Sequence, residues 1–120
     1  TIVKNALTRR EIFYTPPNGT PDGLTIDSDG NIWTALWDGS RVVQLSREGE
    51  EIAEILLPVS RPTSVSFGGE DLRTLFITSA SVDLSAKELS SQPYAGDLFS
   101  IRLPNFGLPE NLFKLHASHL

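Results

Sequence analysis

The stretch PDGLTIDSDGNIWTALWDGSRVVQL, residues 21–45, holds three short runs of strand-forming residues separated by Asp-Gly pairs. Leu, Ile, Val, Thr and Trp suit a pleated, half-buried surface. Asp29-Gly30 and Asp38-Gly39 supply the positive φ angles that tight hairpins demand. The segment therefore reads as an antiparallel meander. Its pattern returns about 40 residues later: Pro21-Asp22-Gly23-Leu24-Thr25-Ile26, a loop and Asn31-Ile32-Trp33-Thr34-Ala35 match Pro62-Thr63-Ser64-Val65-Ser66-Phe67, a loop and Thr74-Leu75-Phe76-Ile77-Thr78. Each copy then passes through a glycine, Gly39 or Gly96, into Val42-Val43-Gln44-Leu45 or Leu98-Phe99-Ser100-Ile101. A period near 40 residues with four strands per copy is the signature of β-propeller blades.

Working outward, strands are expected over residues 11–15, 24–27, 31–36, 41–46, 52–57, 64–67, 74–78, 97–103 and 111–115, with further turns at Asn18-Gly19, Glu48-Gly49 and Gly68-Gly69. Only residues 83–91 argue for helix, because Ser85 and Glu88 have capping-box spacing and Pro93 stops the run. The expected fold is all-β: about two four-stranded antiparallel blades plus one strand of a preceding blade. Residues 1–20 are the end of that preceding blade, 21–60 one blade, and 61–120 a second blade with a loop insertion at 81–95 and a C-terminal tail. Such a propeller is incomplete, and the chain reads as a processed or excised piece. Unpaired edges and apolar faces, including the surface under Phe67, Phe76 and Phe99, then favour self-association. Three chains completing a ring and swapped dimers are both open.

Composition narrows the function. Of 120 residues, 39% are hydrophobic and 21% charged, a globular balance. The net charge of −5 offers no basic stripe to nucleic acid and is compatible with a cation site. Cysteine is absent, which excludes disulfides, thiolate nucleophiles and cysteine-ligated zinc. No apolar run reaches the roughly 18 residues of a membrane helix, so a soluble chain without a membrane partner is expected. The compartment is open, with the cytoplasm as the default.

The ordered motifs PDGLTIDSDGNIWTALWDGSRVVQLSREGE, LPVSRPTSVSFGGEDLRTLFITSAS and LSAKELSSQPYAGDLFSI resemble the C-terminal part of the senescence marker protein (regucalcin), gluconolactonase and luciferin-regenerating enzyme family. The resemblance spans about residues 8–113. It implies a six-bladed propeller that hydrolyses lactones, typically sugar lactones, with a divalent metal at the central channel. Calcium is the first choice, with zinc, magnesium and manganese as the others. It also implies that the aspartate of the PDG motif, Asp22, binds the metal, and that the glutamate and asparagine completing the ligand set lie upstream of this chain. These 120 residues alone are then expected to be inactive. A non-catalytic calcium-binding or interaction propeller is the competing reading.

On spacing alone, Pro21-Asp22-Gly23 is an ordinary turn; the resemblance makes Asp22 both metal ligand and catalytic residue. Asp27, Asp29 and Asn31 mimic the start of a calcium loop, but Ile32 and Asp38 stand where an EF-hand needs glycine and glutamate, so they are assigned to the hairpin. Trp33 is expected in the core between blades, and Trp37 near the channel or the surface. Ser79 and Ser81 align with the channel side of the second copy, yet no neighbouring histidine would activate a serine. His116 and His119 have H-x-x-H spacing in a tail where fraying outweighs metal binding. The 81–95 insertion either shapes the entrance or caps the rim.

Overall fold

A computed structural model describes residues 2–3 and 5–115. A short hairpin of β1 (Ile2–Val3) and β2 (Ala6–Leu7) precedes two larger antiparallel sheets. The first sheet is a meander of β3 (Thr20–Ile26), β4 (Ile32–Trp37), β5 (Arg41–Leu45) and β6 (Glu51–Leu56), in that order. The second is β7 (Pro62–Gly68), β8 (Thr74–Ser79) and β9 (Phe99–Arg102), with α1 (Ala86–Ser91) in the β8–β9 connection. The architecture is all-β with blade-like sheets, as the repeat predicts. No helix among the described residues is long and apolar enough to cross a membrane.

Side-chain alternation places the core. Thr25, Trp33 and Gln44 are register partners, as are Ala35, Val42 and Ile55, so these rows share the face turned toward the second sheet. Val65, Phe67, Leu75 and Ile77 project from that sheet to meet them, and Trp33 packs edge-on to Phe67 with centroids 6.0 Å apart. Burying each such side chain stabilises the fold by about 1.5–3 kcal/mol, so the inter-sheet layer dominates the packing. The opposite face of the first sheet buries Leu36, Val43 and Leu45 under Tyr14.

Several expected details are corrected. Residues 11–15 form no ladder. Instead of joining an edge, this segment crosses the first sheet's outer face, where Tyr14 packs on the cluster of Leu36, Val43 and Leu45 and donates to Glu51. Residues 111–115 are exposed and unpaired, and the second sheet has three strands. After Pro104 the chain turns back beneath β7, away from the free edge of β9: the Ser28 amide donates to the Phe106 carbonyl, and Gly107 bridges Asp27. A Cβ at Gly107 would lie 2.4 Å from that of Phe67, so glycine permits this close passage. Phe67 is buried between the sheets and Phe99 packs against the same core, leaving Phe76 as the outward-facing phenylalanine of the three. In the Asp38-Gly39 turn the positive φ angles fall on Asp38 and Ser40, while Gly39 is small because a Cβ would meet that of Leu36 at 2.6 Å.

Candidate functional site

Strand direction gathers one rim of the molecule. β3 and β7 begin there, β4 and β8 end there, and the β4–β5 turn and the β8–β9 insertion therefore extend from the same end. Asp22 lies on this rim. Pro21-Asp22-Gly23 is not the isolated turn that its composition suggests; it belongs to β3, at a register shift between Pro21 and Leu24. Bulges of this kind redirect side chains at the ends of strands. Thr34 supports the irregularity by donating its hydroxyl to the Gly23 carbonyl at 3.3 Å. Asp22 itself is exposed.

Gly23 explains how the two innermost strands come together. A Cβ built there would stand 2.2 Å from the Ser64 Oγ and 2.7 Å from the Ser64 Cα. β3 and β7 touch through this missing side chain, and the second repeat has its own register shift, between Pro62 and Ser64, at the equivalent place. Asp22 and Thr63 thus occupy corresponding bulges on adjacent strands. The Thr63 hydroxyl is 2.7 Å from that of Thr78.

Asp27, five residues on and just past the end of β3, has a different environment. It is fully buried at the opposite end of the sheet, and its carboxylate accepts four hydrogen bonds. Oδ1 takes the amides of Asp29 and Asn31, each at 3.0 Å, which shapes the hairpin loop. Oδ2 takes the Trp33 indole N–H and the Gln44 amide, each at 2.9 Å, which ties the loop to the core. The turn assignment holds for Asp27 and Asp29. What periodicity did not disclose is that Asp27 is also an anchor for Trp33.

A second cluster on the rim was not singled out in the sequence. The Arg61 guanidinium stacks over Trp37 at 4.7 Å, donates from Nε to Asp38 at 2.8 Å, and donates from Nη1 to the Val82 carbonyl. Arg61 directly precedes Pro62, the position that Thr20 holds in the first copy, and that departure between repeats was the available signal. Trp37 is accordingly half-buried at the rim. Ser79 aligns there as expected, but its hydroxyl donates to the Asp97 carbonyl at 2.6 Å and accepts the Gly96 amide at 3.1 Å, so it fastens the insertion. Ser81 is exposed at the insertion's start, and His116 and His119 lie outside the described residues. In α1 the capping box forms as predicted. The Ser85 backbone N–H is the main cause that holds the Glu88 carboxyl below the usual carboxylate range.

Among the described residues no three acidic or histidine side chains converge as a metal cluster. Asp22 can offer one hard oxygen to a divalent cation, but the described residues do not complete a coordination shell. A groove of about 340 Å³ on the outer face of the first sheet, between Phe13, Tyr14, Leu24 and Leu45, does not include Asp22 in its walls. Most of its lining is apolar, with Arg10, Glu11 and Thr34 among the polar residues.

Residues 2–81 match the SMP-30/gluconolactonase/LRE-like region. The chain is 50% identical over 101 residues to a 6-deoxy-6-sulfogluconolactonase of Pseudomonas putida, covering 84% of this chain and 35% of the relative. It is 39% identical over 111 residues to a pentonolactonase of Haloferax volcanii, covering 88% and 38%. A crystal structure of regucalcin from Agrobacterium tumefaciens, described as a calcium-binding protein, superposes with a TM-score of 0.83 at 30% identity, over 90% of this chain and 37% of that one. The chain therefore spans little more than a third of these relatives. With two-thirds of its length in the matched region, it belongs to the SMP-30/gluconolactonase/LRE-like family.

Proposed function

We propose that this chain is part of a metal-dependent lactonase acting on sugar lactones or related esters, and that Asp22 is its contribution to the reacting centre. The observation that carries this reading is the contrast between the two ends of β3. Asp27 is buried and fully bonded, whereas Asp22 stands exposed on a bulge where β3 meets β7. Relatives named as sulfogluconolactonase and pentonolactonase support the substrate class. Residues 1–20, 21–60 and 61–120 are read as the end of one blade and two successive blades of a six-bladed ring. The glutamate and asparagine that complete the site belong to other parts of the full-length protein, and these 120 residues alone are expected to be inactive.

A divalent cation held in part by Asp22, calcium foremost and zinc, magnesium or manganese as alternatives, would supply Lewis-acid polarisation of the lactone carbonyl. The chain's own part is proton handling. Water adds to the carbonyl carbon, and the Asp22 carboxylate accepts the proton that water loses. The ring C–O bond breaks, and the same proton is returned to the leaving alkoxide. A carboxylate engaged with a cation is a weaker base, so the two roles compete in strength. The bulge keeps the exposed Asp22 carboxylate available for both, while its backbone carbonyl accepts from the Thr34 hydroxyl at 3.5 Å.

The test is Asp22→Ala and Asp22→Asn in the full-length protein, measuring calcium affinity by calorimetry and turnover of gluconolactone. Loss of both, with the melting temperature unchanged, is expected. Retained turnover would remove Asp22 from the mechanism. Calcium binding without any turnover in the unmodified protein would favour the non-catalytic calcium-binding module. The exposed Leu24, Ile26 and Phe76 also support self-association of the isolated chain, which light scattering tests directly; a monomeric mass at micromolar concentration would refute it.

A further inference from the structure

Arg61 joins three parts of the rim that are far apart in sequence. Its guanidinium lies flat on Trp37 at 4.7 Å, its Nε meets Asp38 in the β4–β5 turn at 2.8 Å, and its Nη1 reaches Val82 at the root of the insertion. Its own carbonyl accepts the Ala80 amide at 2.9 Å. The far end of the insertion is fixed independently, since Gln92 Oε1 accepts both the Ser60 amide, at 2.8 Å, and the Ser60 hydroxyl, at 3.0 Å. The insertion is thus clamped at two points to the β6–β7 connection. A loop held in this way is a wall rather than a swinging lid.

An arginine suits this position because one planar group can stack, pair with a carboxylate and serve a carbonyl together. With its side chain 17% exposed, Arg61 spends these contacts within the protein. We propose that Arg61 is a positioning residue that fixes the 81–95 insertion against Trp37 and thereby sets which sugar lactones fit beside Asp22. This rests on the lactonase reading above. The discriminated feature is the arm on the lactone ring: a wall fixed on the rim admits or excludes an exocyclic hydroxymethyl group. It does not alter proton transfer at the carbonyl. The effect therefore falls on KM, with kcat conserved.

Arg61→Ala and Arg61→Lys in the full-length protein test this with two readouts. In hydrogen exchange, Arg61→Ala is expected to speed amide exchange within residues 81–95 by about tenfold, the loss of one exposed ion pair and one cation–π contact. Peptides from β5, which takes no part in the Arg61 clamp, serve as the folding control and are expected not to change. Lysine, which keeps the charge without the planar stack, is expected to fall between. In kinetics, the ratio of kcat/KM for a six-carbon and a five-carbon sugar lactone is expected to shift by about tenfold through KM, while kcat stays within about twofold. Unchanged exchange in 81–95 would overturn the clamp. Faster exchange with an unchanged ratio would overturn the role in selectivity. An unmodified protein that hydrolyses neither lactone would overturn the lactonase reading, and selectivity with it, while the exchange result would still decide the clamp.

Discussion

Replacing Asp27 by asparagine changes one atom of a fully buried side chain, so its cost can be worked from the four bonds that the carboxylate accepts. Asparagine has one acceptor oxygen and one donor group. With the oxygen left toward the Asp29 and Asn31 amides, the new NH₂ points at two other donors, the Trp33 indole and the Gln44 amide. Gln44 can reverse its amide and present oxygen. Trp33 cannot, because an indole only donates. One buried donor is left unpaired, which costs about 1–3 kcal/mol. Asp27→Ala frees all four donors and should cost about 3–5 kcal/mol. For a chain of this size, each kcal/mol lowers the melting temperature by about 3–5 °C. Urea unfolding followed by tryptophan emission measures both variants, and Trp33 reports from the site itself. An Asp27→Asn protein within about 0.5 kcal/mol of the unmodified one would refute the anchor, since that is the scatter of ordinary surface changes.

Two further variants test the packing of strands and the charge network. Gly23→Ala forces a Cβ into Ser64 and should destabilise the fold by about 1–3 kcal/mol; adding Ser64→Gly should recover part of it, since the contact with the Ser64 backbone at 2.7 Å remains. Full recovery in a double-mutant thermal melt would show that only the serine side chain mattered. Arg41, 10% exposed in its side chain, donates to both oxygens of Glu51 at 2.8 and 3.0 Å and to Glu54 at 3.0 Å. The Arg41 hydrogen bonds, then that from Tyr14, hold the Glu51 carboxyl below its ordinary range, while burial first and Glu51 second push Tyr14 up to about 12. A depressed folded value means that the Glu51 contribution is complete at neutral pH and is lost as pH falls from about 4.3 through the lower folded value. Arg41→Ala should therefore flatten the acid limb of stability, measured as urea midpoints from about pH 6 to about pH 3. An unaltered limb would assign acid sensitivity to other carboxylates.

The sheets were legible because their cause is local. Alternating apolar residues and Asp-Gly turns specify a meander without reference to distant residues, and a repeat near 40 residues gives its unit. The Ser85–Glu88 capping box was legible for the same reason. Residues 11–15 and 111–115 have strand composition, but pairing needs a partner edge, which composition does not specify. The first crosses a face under the pull of Tyr14 on the cluster of Leu36, Val43 and Leu45 and on Glu51; the second follows a turn that sends the chain beneath β7. In each case tertiary geometry overrode propensity.

At the candidate site, legibility follows the range of the contacts. Asp22 is a short carboxylate within a motif, and the family pattern singles it out; spacing alone read Pro21-Asp22-Gly23 as a turn. Gly23 shows why that reading fails, since the glycine serves a contact with Ser64 on another strand rather than a positive φ. For Arg61 the departure from Thr20 between repeats marked the position but not its role, because Trp37, Asp38 and Val82 come together only when β4, β7 and the insertion share a rim. The aspartate near the start of β3 and the one just past its end then divide the labour by position. At the buried end a carboxylate saturated by four donors stabilises and has no free acceptor capacity for chemistry. At the rim a carboxylate outside the ladder's needs contributes little to folding and is free to meet a ligand. Substitution should therefore separate them: changes at Asp27 move the unfolding midpoint, and changes at Asp22 move binding and turnover while the midpoint stands.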